Sequence, residues 1–530
     1  MLYSLNLTMM KKHCYMRSSA SLLVIGAAAL CVVQWEPERR TRSMSRTERA
    51  DVELRPGQGM PAGPQCTTPF TADGNVVTEC LFRSGDHNEP SIAVDPRDPN
   101  HLVVAANDSE VYLEGKQFIA RLVPIYRTSF DGGRTWTNGF VDMGGFEYST
   151  DTTVGFDTQG NVYIAMLAGH ISVAGPRIPN RSIIVSKSSD GGLNFEKPVV
   201  VHAGRGAYAT RTRDDKPWIA IDTSAASPFR DRIYVTWQEF DRRAFQPQPS
   251  SGVMVSYSAD AGRTWSQPVK ISTVEGTGFT TSPAVAPDGT AYVAFARFNA
   301  SPLHDDYLIT RSSDGGATWS TPVIIVDYAI GDVFPTSVLG EPTLTGAQYR
   351  VFTSTSRQLA AGPGGSLSFV FFDNRNGSVA ASNTDVFLTR SFDSGQTWTP
   401  PVNITAAAGD QFWPDVALAP DGTLNVAYYD DGYDGSEIRL GVTLARSTDG
   451  VNWTKTGVHT GLSDPRLERW YLFPNDPTGQ TTFIGDYIGL AVDRNNRAHI
   501  VWTDLRLDVD AKFQIPGKPK GENIVYASIP

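Results

Sequence analysis

Three arginines recur at one kind of place in this chain. Arg297 follows the apolar run Ala291-Tyr-Val-Ala-Phe295, Arg375 follows Phe371-Phe372-Asp373, and Arg506 follows Ile500-Val-Trp502 with Asp504 between. Three guanidinium groups converging on one point would clamp a carboxylate, because each presents paired planar donors. Asp373 and Asp504 stand two residues before Arg375 and Arg506, so local Asp-x-Arg pairing is the competing reading. Acids and aromatics occupy matching places. His87, Glu89, Asp151, Asp214, Asp215, Gln411, Trp413, Asp486 and Tyr487 precede apolar runs, and Asp108, Glu239, Asp430 and Asp431 follow them. There is no His-Glu-x-x-His, no cysteine cluster and no P-loop, so neither a metal ligand set nor a cofactor is expected. The acid pairs Asp305-Asp306 and Asp430-Asp431 carry oxygens of the kind Ca²⁺ takes, but they read as solvated loops.

The apolar runs that carry these residues are strands. Short β-branched and aromatic segments bounded by Asp-Gly or Asp-Pro turns come in seven pairs, such as Pro90–Asp95 with His101–Ala106 and Pro217–Ile221 with Ile233–Trp237. The fifth pair is stretched between Phe334 and Phe372. A second phrase alternates with the first and recurs six times. It runs from Ser129-Phe-Asp131-Gly-Gly-Arg-Thr-Trp136 through the copies at Asp190, Asp260, Asp314 and Asp393 to Ser447-Thr-Asp449-Gly-Val-Asn-Trp453. Its glycines suit a hairpin that needs positive φ, its Asp and Ser can bond the turn's own backbone, and its Trp buries a large ring. The second copy has Asn194-Phe195 in place of Thr-Trp. The sixth is one residue shorter and predicts a different turn.

Repeats of this length predict an all-β, seven-bladed β-propeller over residues 85–530, about 64 residues per blade, with six blades as the alternative. The last unit lacks a box. A strand from the N-terminal segment, within Val76–Phe82, would complete it and close the ring. In such a ring the residues before first strands and after second strands share one face, opposite the boxes.

The boxes resemble the bacterial neuraminidase repeats, or Asp-boxes, of the sialidases, and the resemblance covers the chain from about residue 85 onward. It implies a glycan ligand and, by analogy with the Tyr nucleophile of sialidases, catalysis by Tyr487 with Glu239 as its base and Asp151 or Asp215 as the acid on the leaving oxygen. Asp486 and Trp413 join the three arginines as implied substrate contacts. The competing reading of Tyr487 is an aromatic plug in the central channel. The phrase Phe-Arg-Ile-Pro, which sialidases carry in their first blade, is absent; His87-Asn-Glu-Pro-Ser-Ile92 stands there instead. The function implied is a sialidase-like hydrolase of acidic sugars at glycan ends. The alternatives are a non-catalytic glycan- or protein-binding propeller, and a lyase or endo-hydrolase with a groove lined by Trp413, Trp470 and Trp237.

Composition sets the surroundings. The chain of 530 residues carries a formal charge of −10, which argues against a nucleic-acid partner; a monomer is expected. Lys11, Lys12 and Arg17 precede an apolar run, Ala20–Val33, too short for a typical membrane span. Residues 1–35 therefore read as a signal peptide, with an uncleaved anchor as the rival, and Gly26-Ala-Ala-Ala29 as a small-residue cleavage site. A secreted, periplasmic or cell-surface location follows. Residues 36–84 read as a linker and strap, in which Cys66 and Cys80 form a disulfide or stay as two thiols.

Overall fold

β-Branched and aromatic runs fold into strands, several buried on both faces as at Val162–Gly169 and Leu367–Asp373, and the turns between them are short enough to make each run pair with the next. In the computed structural model, residues 52–54, 71–72, 74–79, 85–114, 117–170, 181–204, 212–241, 252–272, 277–298, 305–327, 334–335, 343–345, 349, 351, 358–467, 483–508 and 520–530 are described. The signal segment, both strap cysteines and Trp470 lie outside them. No helix among the described residues is long and apolar enough to cross a membrane.

Seven antiparallel sheets result. From the inside outward, blade 1 is Gly85–Asp95, Asp98–Glu114, Gln117–Ser129 and Thr137–Phe140, with Val52–Leu54 added parallel to the third strand. Blade 2 is Tyr148–Phe156, Val162–Gly169, Arg181–Ser188 and Val199–His202. Blade 3 is Thr212–Ile221, Ile233–Asp241, Gly252–Ser258 and Val269–Lys270. Blade 4 is Thr277–Val285, Ala291–Phe298, Asp305–Ser312 and Val323–Asp327. Blade 5 is Leu359–Ala361, Leu367–Asp373, Asp385–Ser391 and Val402–Asn403. Blade 6 is Gln411–Leu418, Leu424–Asp430, Gly441–Ser447 and Thr454–Gly457. Blade 7 is Gly489–Val492, Ala498–Asp504 and Asn523–Ile529. Innermost strands touch in sequence around the ring, and that of blade 7 touches that of blade 1. The chain is a seven-bladed propeller, and the stretched fifth pair is a true blade. Apolar clusters fill the wedges between neighbouring blades, as where Val103 and Ala105 of blade 1 meet Val154, Phe156 and Ile164 of blade 2.

The boxes are folding devices. The Ser129 hydroxyl donates to Asp131 Oδ1 at 2.9 Å and accepts from the Gly133 N–H at 2.9 Å. Asp131 also accepts from the Thr135 N–H at 2.9 Å and hydroxyl at 2.6 Å. In the second copy the Asn194 amide replaces that hydroxyl at 2.8 Å. In the shorter sixth copy the Ser447 hydroxyl accepts from Gly450, three residues on rather than four. Gly133 sits at φ 85°, and a Cβ there would lie 2.2 Å from the Tyr526 ring of blade 7. Trp136 closes the same seam, fully buried and edge-on to Tyr526.

Asn75–Val77 pairs with Asn523–Ile529 and completes blade 7, so the N-terminal segment closes the ring one residue earlier than expected. A buried ionic lock follows it. Glu79 accepts from Arg127 of blade 1 at 2.8 Å and from the Ile524 N–H of blade 7 at 2.8 Å, and lies 3.1 Å from His87 Nδ1. His87 Nε2 lies 3.3 Å from Asp108. Burial opposes a charged imidazole here, but Asp108 and Glu79 outweigh it and raise the His87 pKa to about 9. The folded value lies above the unfolded one. The stabilisation is therefore complete below pH 6.5 and is lost as pH rises through 9. The gap in melting temperature between the parent and His87→Gln should be widest near pH 6 and should shrink steadily towards pH 9.5; a gap constant across that range would refute the lock.

Candidate active site at the ring centre

The innermost strands are not regular. In blades 1, 2, 3 and 6 the ladder slips by one residue, between Asn88 and Ser91, Thr150 and Thr153, Asp215 and Trp218, and Phe412 and Asp415. The first extra residue of each bulge is a non-glycine at positive φ: Glu89 at 54°, Asp151 at 55°, Lys216 at 47° and Trp413 at 48°. Each such residue costs on the order of 1–2 kcal/mol, and bulges re-aim the side chains they carry. Pro90, Pro217 and Pro414 come next, where a missing ladder donor is tolerated.

Three of these side chains meet. The Lys216 ammonium lies 3.0 Å from Glu89 Oε1, 2.9 Å from Asp151 Oδ1 and 2.8 Å from Asp486 Oδ2. Residues from blades 1, 2 and 3 and from the approach to blade 7 can converge on one ammonium only near the ring axis. All four are buried. Asn107 supports them, donating to Glu89 Oε2 at 3.0 Å and accepting from the Asp151 N–H at 2.8 Å. Gly485, at φ 89°, lets blade 7 approach, since a Cβ there would lie 2.9 Å from the Glu89 backbone nitrogen.

The electrostatics divide the carboxylates. Burial disfavours the Lys216 ammonium, but Asp151, Asp486 and Glu89 outweigh it and hold its pKa well above the ordinary lysine value. Burial, reinforced by Asp151 and Asp486, overrides Lys216 at Glu89 and pushes its pKa well up. Burial also acts to raise Asp151, but Lys216 and a hydrogen bond with Glu89 prevail and hold it below the ordinary range. Glu89 is thus a protonated carboxyl in contact with an ionised one. Tyr487 packs beside them. Its ring lies 5.5 Å from the Lys216 ammonium and 5.3 Å from Trp218, and its hydroxyl donates to the Thr152 carbonyl at 3.4 Å. Burial, with Glu89 next, holds the phenol protonated.

The structure brings together Tyr487, Asp486 and Asp151 of the residues the sequence singled out. It adds Glu89 and Lys216, which no role had been given. Their signal was positional, since Lys216 in Asp214-Asp-Lys-Pro217 stands where Glu89 stands in His87-Asn-Glu-Pro90. The other candidates go elsewhere. Arg297 pairs with Asp306, Arg375 with Asp373 at 2.8 Å and Arg506 with Asp504 at 2.9 Å, each within its own blade. Asp215 pairs with Arg181 of blade 2 at 3.0 Å. Glu239 lies opposite Asp214 in blade 3, beside His202, and not in the Tyr487 group's contacts. Trp413 is buried edge-on to Phe412 and Tyr429, and Trp237 is equally buried, so neither lines a groove. The acid pairs are not the solvated loops expected of them: Asp306 and Asp431 are buried, and burial with Asp410 beside it lifts Asp431 to about 8.

No family model matches the chain, and no curated protein does. Solved structures resemble it in fold. A protein of unknown function from Dyadobacter fermentans shares 12% identity over 85% of this chain and 97% of its own, at a TM-score of 0.44. A Hadza microbial sialidase shares 13% over 87% and 97%, also at 0.44. A leech intramolecular trans-sialidase shares 11% over 74% and 71%, at 0.41.

Removing Lys216 would leave carboxylates buried without their counter-ion. Lys216→Met should cost about 3–5 kcal/mol of stability, read from urea unfolding. A loss below about 1 kcal/mol would mean the carboxylates are not held by the ammonium.

Proposed function

We propose that the chain cleaves glycosidic bonds at the ring centre: Tyr487 attacks the anomeric carbon while ionised Asp151 takes the phenol proton, Glu89 gives its proton to the leaving oxygen, and water then releases the sugar from Tyr487. One observation carries the reading. Two touching carboxyl groups have their pKa values driven apart by burial and by Lys216, which supplies an acid and a base in one place. Glycoside hydrolysis needs that pairing, and the phenol of the sialidase-like scheme stands beside it. Glu89 thereby takes the acid's part that the sequence reading gave to Asp151 or Asp215, and Asp151 takes the base's part given to Glu239. The glycan ligand is retained from the box resemblance. The three arginines are tied to carboxylates of their own blades, so they do not support an acidic sugar over a neutral one.

A second reading is a non-catalytic binding propeller with the cluster as its structural hub. Its support is burial: Tyr487 is 1% exposed and Asp486 0%. A panel of fluorogenic glycosides, a sialoside and neutral sugars, separates the two. The parent should release fluorophore from at least one, and Glu89→Gln and Tyr487→Phe should each lower kcat/KM by about 100-fold or more while melting cooperatively. A folded parent that releases none but retains glycans on an array would be the binder.

We further propose that the chain is exported through its basic and apolar leader. The mature protein should then begin shortly after Ala29, as N-terminal sequencing of secreted material would show. Recovery of full-length chain in the membrane fraction would instead identify an anchor.

A further inference from the structure

Where the outer strand of blade 2 approaches the site end of blade 3, three side chains meet that the glycosidase reading does not use. His202 ends Val199–His202, Asp214 lies in Thr212–Ile221 and Glu239 in Ile233–Asp241. Asp214 and Glu239 are direct cross-strand partners. His202 Nδ1 is 2.7 Å from Asp214 Oδ2, and one ligand-type atom from each of the three lies within 4.8 Å of the others. Among the described residues this is the one His, Cys, Asp or Glu group arranged so that it could hold a metal ion.

Two like charges opposite each other on a ladder repel, and a cation between them removes that cost. The imidazole is held for the purpose, stacked on the buried Trp237 ring at 5.4 Å and 24°. Asp214 is buried while His202 and Glu239 keep partial exposure, so an ion can enter from solvent. One ring nitrogen with two carboxylates suits zinc or manganese better than calcium or magnesium, which take oxygen alone. Three protein ligands leave coordination open to water or a substrate oxygen.

We propose that His202, Asp214 and Glu239 form a binding site for one divalent transition-metal ion, zinc or manganese. It departs from the expectation of no metal ligands, and it stands independently of the glycosidase reading.

The full chain, stripped with EDTA and dialysed, is titrated calorimetrically with ZnCl₂ and separately with MnCl₂. One equivalent of at least one ion should bind the parent. His202→Ala and Glu239→Gln should each weaken it by about tenfold or more, and Asp508→Asn, at an exposed carboxylate elsewhere, should not. X-ray absorption of the loaded parent, which needs no variant to fold, should show one imidazole with carboxylate oxygens. No uptake of either ion, equal binding by folded His202→Ala and Glu239→Gln, or a shell without imidazole would each overturn the site.

Discussion

One buried ammonium organises the middle of this ring. Lys216 lies within 3.0 Å of a protonated carboxyl from blade 1 and of carboxylates from blade 2 and from the approach to blade 7. None of these charges could be buried alone, because desolvation of an unpaired ion is severe. Each needs the others in place, so the cluster forms only when blades 7, 1, 2 and 3 have closed to their final spacing. The strained bulges follow from the same demand. A regular strand would not place Glu89, Asp151 and Lys216 where one ammonium reaches the first two, and left-handed backbone at each is tolerated because the ionic contacts hold it.

The rest of the fold is a chassis repeated seven times, and the chemistry lies in what differs between copies. The boxes are nearly interchangeable: six Ser-x-Asp hairpins bond their own backbones, with Asn194 and Asn452 doing the work of a threonine hydroxyl in two of them. The bulge position is the opposite. It holds Glu89, Asp151, Lys216 and Trp413, an acid of high proton affinity, an acid of low affinity, a cation and an apolar ring. One backbone device thus carries four different chemistries, and three of them meet at the ring centre.

This contrast explains what could be read from the sequence. Strand pairs, the boxes, the altered sixth turn and the N-terminal strand that closes blade 7 are written in local patterns, and periodicity and turn chemistry reveal them. Tyr487, Asp486 and Asp151 were found because each stands next to a recognisable strand start. Lys216 was passed over because its partners lie in other blades, 65 to 270 residues away in the chain. Arg375 and Arg506 fell to the nearest carboxylate, as the Asp-x-Arg spacing allowed. Trp413 failed as a sugar platform because its position in the repeat says where its backbone lies and not that Phe412 and Tyr429 enclose its ring.

Blade 3 shows how one short run can serve unlike ends. Asp214, Asp215 and Lys216 are consecutive, yet they bond His202, Arg181 and the ring centre respectively. Strand pleating sends Asp214 and Asp215 to opposite faces of the sheet. Regular alternation would then return Lys216 to the face of Asp214, beside His202, where its ammonium would compete with any metal ion. The bulge that begins at Lys216 prevents this by turning the side chain inward. The same one-residue slip that completes the acid–base cluster therefore keeps the His202–Asp214–Glu239 cluster free of a competing cation. Straightening it would disturb both.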